Sequence, residues 1–209
     1  MSKIKVAEMF YSIQGEGRYM GVPSVFLRTF GCNFKCSGFG MPKGQLSTER
    51  ETIAIKAETY TDYKSLPLVS TGCDSYASWD PRFKHLSPML DTNVIADSIS
   101  DILPRGRWYD EHLVITGGEP LLGWQRTYEE LLSHPDMVDL QNLTFETNGT
   151  QRLDEPFKEY IQEWHTAWRG TTENDHQEYI GRFREMQFSV SPKLSRSGEK
   201  WSDAIKPEV

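Results

Sequence analysis

The sequence predicts an α/β fold in which strands and helices alternate along the chain. Two observations lead to this prediction. Short apolar runs recur and end in segments rich in glycine, cysteine or polar residues, and amphipathic segments separate several of these runs. Alternation at this spacing is typical of parallel βαβ units. In such folds ligands bind at the carboxyl ends of the strands, so the segments that follow the runs are the candidates for a site.

The amino-terminal part predicts two strands and then an excursion. Val6 to Tyr11 is a strand pattern, Gln14 to Gly17 a turn, and Ser24 to Phe30 a second strand that ends at Gly31. Residues 37–72 are interrupted by glycine and proline, and we expect them to leave the core. Within them, only the stretch around Thr52 to Tyr63 has a modest helical or extended pattern.

The rest of the chain supplies the alternating elements. Pro104 should end the first helix, Pro135 the second, and Asp154 should cap the third. The predicted order is a helix from Asp91 or Thr92 through Ile102, a strand at His112–Ile115, a helix at Thr127–His134, a strand at Leu143–Phe145, a helix at Asp154–Trp164, a loop at Thr171–His176, a strand at Met186–Val190 and a short helix within Ser197–Val209.

Length and composition narrow the classes of function. A chain of 209 residues can form one sizeable core, so we expect a single domain over 1–209. The net charge of -7 argues against direct nucleic-acid binding, which needs a basic face. The sequence contains no run of about 18 apolar residues and therefore predicts no membrane span. Its first residues do not resemble a signal peptide. We expect a cytoplasmic protein with a small-molecule ligand.

Four motifs carry candidate chemistry, and each has an ordinary structural alternative. Cys32 and Cys36 share a glycine-led loop and could hold a metal cluster, or be buried as small apolar residues. Thr116-Gly-Gly-Glu-Pro could hold an ammonium group or be a plain βα turn. Glu146-Thr-Asn-Gly-Thr suits ribose hydroxyls, although Asn-Gly is also a common turn. Gln14-Gly-Glu-Gly with Arg28 could bind a polar heterocycle and a carboxylate, or form a solvated turn and a surface ion pair.

The order of these motifs resembles the 7-carboxy-7-deazaguanine synthase family of radical S-adenosylmethionine enzymes. The resemblance runs from about Val6 to Lys193 and rests on Phe-Tyr-Ser-Ile-Gln-Gly-Glu-Gly, Phe-Leu-Arg-Thr-Phe-Gly-Cys-Asn-Phe-Lys-Cys, Thr-Gly-Gly-Glu-Pro, Glu-Thr-Asn-Gly-Thr and Ser-Pro-Lys. It implies a partial (β/α) barrel of the radical S-adenosylmethionine type. Family members continue beyond the position that corresponds to Val209 with a further strand. The resemblance therefore also implies that the carboxyl-terminal end of the barrel is incomplete here.

One departure from the family concerns the third cluster ligand. The family motif is Cys-x-x-x-Cys-x-x-Cys followed by Asp-Thr, and here Phe39 stands three residues after Cys36. The pattern resumes at Cys73-Asp74-Ser75. We therefore expect residues 37–72 to be an insertion and Cys73 to be the third ligand. An insertion of this length is tolerable if its ends stay close, because loop-closure cost grows only logarithmically.

The resemblance implies a [4Fe-4S] cluster, S-adenosylmethionine and Mg²⁺ as cofactors. Three cysteines leave one iron open for the amino and carboxylate groups of S-adenosylmethionine. The implied residues are Cys32, Cys36 and Cys73 for the cluster; Ser75 for Mg²⁺; Gly72, Asp74, Gly118, Glu119, Glu146, Asn148, Ser191, Pro192 and Lys193 for S-adenosylmethionine; and Ile13, Gln14, Gly15, Glu16, Arg28 and Thr116 for the substrate, with Arg28 facing its carboxylate.

The implied reaction converts 6-carboxy-5,6,7,8-tetrahydropterin to 7-carboxy-7-deazaguanine with loss of ammonia, in 7-deazapurine and queuosine biosynthesis. It implies an electron donor such as flavodoxin or ferredoxin, and a homodimer as a family expectation. Two alternatives stay open. One is another small radical S-adenosylmethionine protein, such as an activase of a glycyl-radical enzyme, and the other is an inactive or zinc-binding relative.

Overall fold

The structure is a computed structural model, and it describes residues 2–166 and 184–209. Its centre is one open six-stranded sheet with the strand order β3-β1-β2-β4-β5-β6. The strands are β1 (Lys3–Ile13), β2 (Pro23–Thr29), β3 (Met89–Asp91), β4 (His112–Gly117), β5 (Asn142–Thr147) and β6 (Glu185–Val190). The helices are α1 (Thr48–Ala54), α2 (Thr92–Ile102), α3 (Gln125–Leu132), α4 (Glu155–Thr166) and α5 (Trp201–Ala204). The predicted α/β class is confirmed, and the sheet is open as in a partial barrel.

Strand direction divides the sheet into two parts. β2, β4, β5 and β6 are parallel neighbours, as the βαβ pattern predicted. β1 is antiparallel to both β2 and β3, and the three-residue strand β3 was missed. The turn after β1 therefore starts at the opposite end of the sheet from the segments that follow β2, β4 and β5. Of the candidate motifs, only this turn follows a strand that does not end at the carboxyl edge of the parallel strands.

The main core lies between the sheet and helices α2, α3 and α4. β4 is buried from His112 to Thr116, which explains its continuous apolar run. The helices are amphipathic, and their apolar residues Ile95, Ile99, Leu131 and Phe157 are fully buried. Asp91 precedes α2 as predicted, although its side chain makes no capping hydrogen bond. The apolar periodicity therefore located these helices correctly, with ends shifted by one or two residues.

Residues 37–72 form a compact excursion with its own helix. The hydroxyl of Ser47 accepts a hydrogen bond from Arg50 N and caps α1. This helix begins before the predicted stretch at 52–63, which is instead the end of α1 followed by two single-turn 3₁₀ helices. Ala54 and Ala57 pack with Tyr76, Phe83 and Leu86 in a second, smaller apolar cluster. The 3₁₀ turns that follow Cys73 were not predicted.

Three sequence predictions have other outcomes. The predicted helix within Ser197–Val209 is limited to the four residues of α5. The predicted loop at Thr171–His176 lies outside the described residues. The single domain over 1–209 stays a prediction. Among the residues described, no helix has both the length and the apolar content needed to cross a membrane.

Candidate active site

Cys32 and Cys36 lie in the loop that follows β2, at the carboxyl edge of the parallel strands. They and Cys73 are free cysteines of intermediate exposure. Burial, with a smaller contribution from the charge of Cys73, raises the pKa of Cys32 to about 11 and that of Cys36 to about 12. Burial also raises the pKa of Cys73. The structure thus brings the three predicted ligands close enough to interact electrostatically, although 36 residues separate Cys36 from Cys73.

A backbone bridge holds the two ends of the excursion together. Phe39 N donates to Gly72 O at 2.8 Å, and Gly72 N donates to Phe39 O at 2.7 Å. A Cβ on Gly38 would stand 1.9 Å from the carbonyl carbon of Gly72 and 2.3 Å from Cys73 N. Only glycine permits this approach. The bridge therefore connects the end of the Cys36 loop directly to Cys73, while the side chain of Phe39 is 74% exposed.

The number and chemistry of the three cysteines match the protein ligands of a four-iron cluster with one open iron. Within the described ranges, no group of three or more His, Cys, Asp or Glu side chains is arranged to hold one metal ion. A four-iron cluster is larger and takes one cysteine on each of several irons, so its thiolates stand farther apart than the ligands of a single ion. Three free, partly buried cysteines at one edge fit such a cluster with one iron left open.

The Gly-Gly-Glu-Pro turn packs directly against the cysteine loop. Glu119 N donates to Gly31 O at 2.7 Å. A Cβ on Gly118 would stand 2.3 Å from Gly31 O and 2.7 Å from the Cβ of Cys32. A Cβ on Gly117 would clash in the same way with the backbone of Thr29. These glycines let two strand ends meet, so the turn has a packing function whatever ligand it binds.

The carboxylate of Glu119 is fully buried and already has protein partners. Its oxygens accept hydrogen bonds from Thr147 Oγ1 at 2.7 Å, Asn148 N at 2.7 Å and Leu121 N at 3.1 Å. Burial raises its pKa, and the three donors favour the charged form. Three of about four acceptor positions are thus in use. The predicted contact with the amino end of S-adenosylmethionine remains a prediction, while the observed contacts hold the loop after β5.

The loop after β5 reaches back to the cysteine loop. Asn148 Nδ2 donates to Asn33 Oδ1 at 2.9 Å, and Asn33 Nδ2 donates to Thr150 Oγ1 at 2.8 Å. Asn148 also borders a mainly apolar cavity of about 480 Å³ between the ends of β5 and β6 and the segment 204–209. Pro192 and Gly149 line the same cavity. Two predicted cofactor residues, Asn148 and Pro192, therefore line the same cavity.

The positive charge of Lys193 acts on all three cysteines. Its charge lowers the pKa of Cys32, Cys36 and Cys73 alike, and that of Glu119. Its Nζ donates to Ser191 Oγ at 3.2 Å. The Ser-Pro-Lys motif predicted a cofactor contact, and the geometry adds that the lysine can offset the negative charge of thiolates.

The predicted substrate residues lie in two groups, one around Arg28 and one around Gln14. Arg28 Nε donates to Glu8 Oε1 at 2.8 Å, and its Nη1 donates to Ser75 Oγ at 2.9 Å. Ser75, the predicted magnesium ligand, therefore lies beside the predicted carboxylate anchor, and Asp74 Oδ1 accepts its hydroxyl at 3.2 Å. Glu8 was missed, although its alternation with Phe10 on β1 could have placed it opposite Arg28.

The turn after β1 also reaches the site. The buried amide of Gln14 donates from Nε2 to Glu146 Oε1 at 3.0 Å, and Gln14 Oε1 accepts from Glu16 N at 3.3 Å. This contact joins a predicted substrate residue to a predicted cofactor residue across the sheet. Ile13, Gly15 and Glu16 are exposed, and Thr116 is buried opposite Arg28 in the β2–β4 register.

The chain is similar in sequence to proteins named 7-carboxy-7-deazaguanine synthase. No protein-family model matches the chain. It is 31% identical to 7-carboxy-7-deazaguanine synthase of Halobacterium salinarum over 73% of this chain and 42% of that protein. It is 28% identical to 7-carboxy-7-deazaguanine synthase of Pyrobaculum aerophilum over 95% of this chain and 59% of that protein. The chain thus spans about half the length of the curated relatives it matches.

A solved structure also aligns with most of the chain. The crystal structure of QueE from Escherichia coli aligns with 96% of this chain and 67% of its own, at 20% identity and a TM-score of 0.47.

Proposed function

Because the chain is a relative of the 7-carboxy-7-deazaguanine synthases, we propose that it converts 6-carboxy-5,6,7,8-tetrahydropterin to 7-carboxy-7-deazaguanine with loss of ammonia, as a radical S-adenosylmethionine lyase. The observation that carries the proposal is the convergence of Cys32, Cys36 and Cys73 at the edge where Arg28, Thr116 and the loops after β4 and β5 also lie. The bridge between Phe39 and Gly72 supports it, because it brings Cys73 to that edge despite the excursion.

Cys32, Cys36 and Cys73 would hold a [4Fe-4S] cluster, with Lys193 offsetting part of its negative charge. When bound, the reduced cluster and S-adenosylmethionine would supply the 5′-deoxyadenosyl radical that takes a hydrogen atom from the substrate. The thiols have raised pKa values and must lose their protons to become ligands. Lys193 favours that loss at all three positions.

The candidate substrate residues would position the pterin. Arg28 would hold the carboxylate, with Glu8 and Ser75 fixing the direction of its guanidinium. Ser75 Oγ, with Asp74 beside it, would contribute a hard oxygen ligand to a hydrated Mg²⁺ shared with the substrate. Gln14, tied to Glu146, would present polar groups to the ring, with Ile13, Gly15, Glu16 and Thr116 around it.

The candidate cofactor residues would hold S-adenosylmethionine beside the cluster. Glu146 and Asn148 would contact its ribose and Ser191, Pro192 and Lys193 further parts of the molecule, next to the apolar cavity. Gly72, Asp74, Gly118 and Glu119 would approach its amino end. Exclusion of water by the buried Glu119 region would protect a radical from side reactions.

The wider setting is part of the same proposal. Reduction of the cluster needs a one-electron donor such as flavodoxin or ferredoxin. We place the protein in the cytoplasm as a homodimer, and its product in queuosine biosynthesis for transfer RNA modification.

An anaerobic reconstitution experiment tests the proposed function. The purified protein is loaded with iron and sulfide, analysed for both elements, and given dithionite, Mg²⁺, S-adenosylmethionine and 6-carboxytetrahydropterin. We expect about four irons per chain and formation of 7-carboxy-7-deazaguanine. Cys73→Ala should abolish product and prevent a complete cluster. A Cys73→Ala protein with a full cluster, or a colourless wild type that retains zinc, would overturn the proposal.

A further inference from the structure

The sheet has a second face, opposite the main core that it forms with α2, α3 and α4. Alternation along each strand places on this face the side chains that do not belong to the main core. In the observed register they form three rows across the parallel strands. The row at the amino ends contains Ser24, His112, Asn142 and Glu185, the middle row Phe26, Val114, Thr144 and Gln187, and the row at the carboxyl ends Arg28, Thr116, Glu146 and Ser189.

The side chain of Tyr19, in the turn after β1, covers the row at the amino ends. The centres of the Tyr19 and His112 rings lie 4.3 Å apart. Tyr19 Oη donates to Glu185 Oε2 at 2.8 Å and lies 3.3 Å from Asn142 Oδ1. Burial and the hydrogen bond to Glu185 raise the pKa of Tyr19 to about 12, so the phenol keeps its proton and remains a donor. One side chain of the turn thus contacts β4, β5 and β6.

The residue beneath the Tyr19 ring is itself held in place. His112 is fully buried, and its ring nitrogens lie 2.8 Å from Thr144 Oγ1 and 3.5 Å from Ser24 Oγ. Tyr19 is therefore attached to a fixed part of the sheet. The neighbouring Arg18 also binds Glu185, but its side chain is exposed, and an ion pair at the surface contributes little.

The same turn carries Gln14 to the row at the carboxyl ends. Two backbone hydrogen bonds of 2.8 and 2.9 Å join Gln14 to residues 21 and 22 and close the turn. Asn142 and Glu146 lie on one face of β5, four residues or about 13 Å apart. The turn therefore lies along β5, with Tyr19 beside Asn142 at one end and Gln14 Nε2 on Glu146 at the other.

We propose that Tyr19 is a positioning residue for the substrate: its contacts with the amino ends of β4, β5 and β6 fix the turn that presents the Gln14 amide to the site. This inference rests on the proposed function, because it takes the pterin as the ligand of Gln14. A turn that is attached only part of the time binds with an apparent affinity reduced by the attached fraction. The cysteines lie at the opposite edge of the sheet, so loss of this anchor should weaken pterin binding and leave the cluster intact.

Two variants and a matched control test the anchor. Tyr19→Phe removes the hydroxyl and keeps the ring on His112, and Tyr19→Leu removes both. The control Tyr160→Phe removes a hydroxyl that lies 3.2 Å from Ser133 Oγ, on the helix-covered side of the sheet. The KM and kcat for 6-carboxytetrahydropterin are measured with the reconstituted proteins. Amide hydrogen exchange in residues 14–22 is measured without substrate, together with iron content and urea unfolding.

We expect Tyr19→Phe to raise the KM about tenfold, because a hydrogen bond to a carboxylate is lost, and to leave kcat and iron content close to the wild type. Exchange in residues 14–22 should become faster, and both effects should be larger in Tyr19→Leu. Tyr160→Phe should match the wild type in KM and in exchange of the turn.

A merely structural role for Tyr19 would lower stability in urea without separating KM from kcat. A Tyr19→Phe protein with the wild-type KM, or one whose KM rises with unchanged exchange in the turn, would overturn the inference and leave the proposed function intact. A wild type that holds a cluster but neither binds nor converts the pterin would overturn both.

Discussion

Replacing Gly38 by alanine tests whether the bridge between Phe39 and Gly72 brings Cys73 to the proposed cluster site. Gly38 has φ +76, and a Cβ there would stand 1.9 Å from the carbonyl carbon of Gly72 and 2.1 Å from its oxygen. The excursion also contains a matched control. Gly44 has nearly the same backbone conformation, with φ +72, but a Cβ at that position meets nothing within 4 Å.

The two substitutions differ only in the contact they create. Gly44→Ala carries the cost of a left-handed conformation, about 1–2 kcal/mol. Gly38→Ala carries the same cost, an overpacking cost of about 1–3 kcal/mol, and the loss of two bridge hydrogen bonds worth about 0.5–1.5 kcal/mol each. We expect its total of about 3–8 kcal/mol to open the excursion locally while the main core stays folded, because the excursion packs in a separate apolar cluster.

Iron content and urea unfolding separate the local effect from the global one. At a chelator concentration that removes half of the iron from the wild type, Gly38→Ala should retain less than about a fifth of the iron that the wild type holds, because a loss of 1.4 kcal/mol or more is at least tenfold in a binding constant. Gly44→Ala should retain most of it, and the main unfolding transition should be similar in the two proteins. If Gly38→Ala holds as much iron as Gly44→Ala, the bridge does not control the position of Cys73.

Three further predictions follow from single residues. Arg28→Lys should raise the KM for the pterin about tenfold, because one charge-assisted hydrogen bond of about 1.5 kcal/mol is lost; an unchanged KM would refute its role as the carboxylate anchor. Burial lowers the pKa of His112 to about 4, so only the unfolded chain gains a proton as the pH falls from about 6.5 to 4. Stability measured by urea unfolding should drop by about 3 kcal/mol across that window, and His112→Gln should remove this dependence. Glu119→Gln should lower the free energy of unfolding by about 1–3 kcal/mol, because its amide would face groups that already donate, whereas exposed Glu58→Gln should change it by less than about 0.5 kcal/mol.

The parallel part of the fold could be predicted because its signals are local. The buried run His112–Ile115 and the apolar spacing from Phe157 to Trp164 each depend on neighbouring residues in the chain, and both elements are where the sequence predicted them. β3 could not be predicted in this way. Its three residues have no distinctive pattern, and they are a strand only because Lys3–Lys5 pairs with them. Pairing between distant segments is a tertiary effect that local propensity does not carry.

In the candidate site, too, residues with a local sequence signal could be predicted and their distant contact partners could not. Its glycines and cysteines were found from short motifs and from the family resemblance that the order of these motifs carries. The partners of those residues were missed: Glu8 on Arg28, Thr147 on Glu119, and Arg50 on Trp79. Every one of these contacts joins residues 20 or more positions apart. A charged residue such as Arg50, in a segment with weak periodicity, gives no indication in the sequence that it will be buried.

The contacts of Arg28 show why such partners matter for a substrate site. A free arginine side chain loses considerable rotamer entropy when it binds a ligand. Here Glu8 and Ser75 use the Nε and Nη1 groups of Arg28, and the side chain is only 19% exposed. The guanidinium plane is therefore fixed before any ligand arrives, which lowers the cost of binding a carboxylate. The same contacts hold Ser75, two residues after Cys73, so the proposed carboxylate anchor is linked to the segment that carries the proposed third cluster ligand. A change that displaces Cys73 should therefore weaken substrate binding as well as cluster binding.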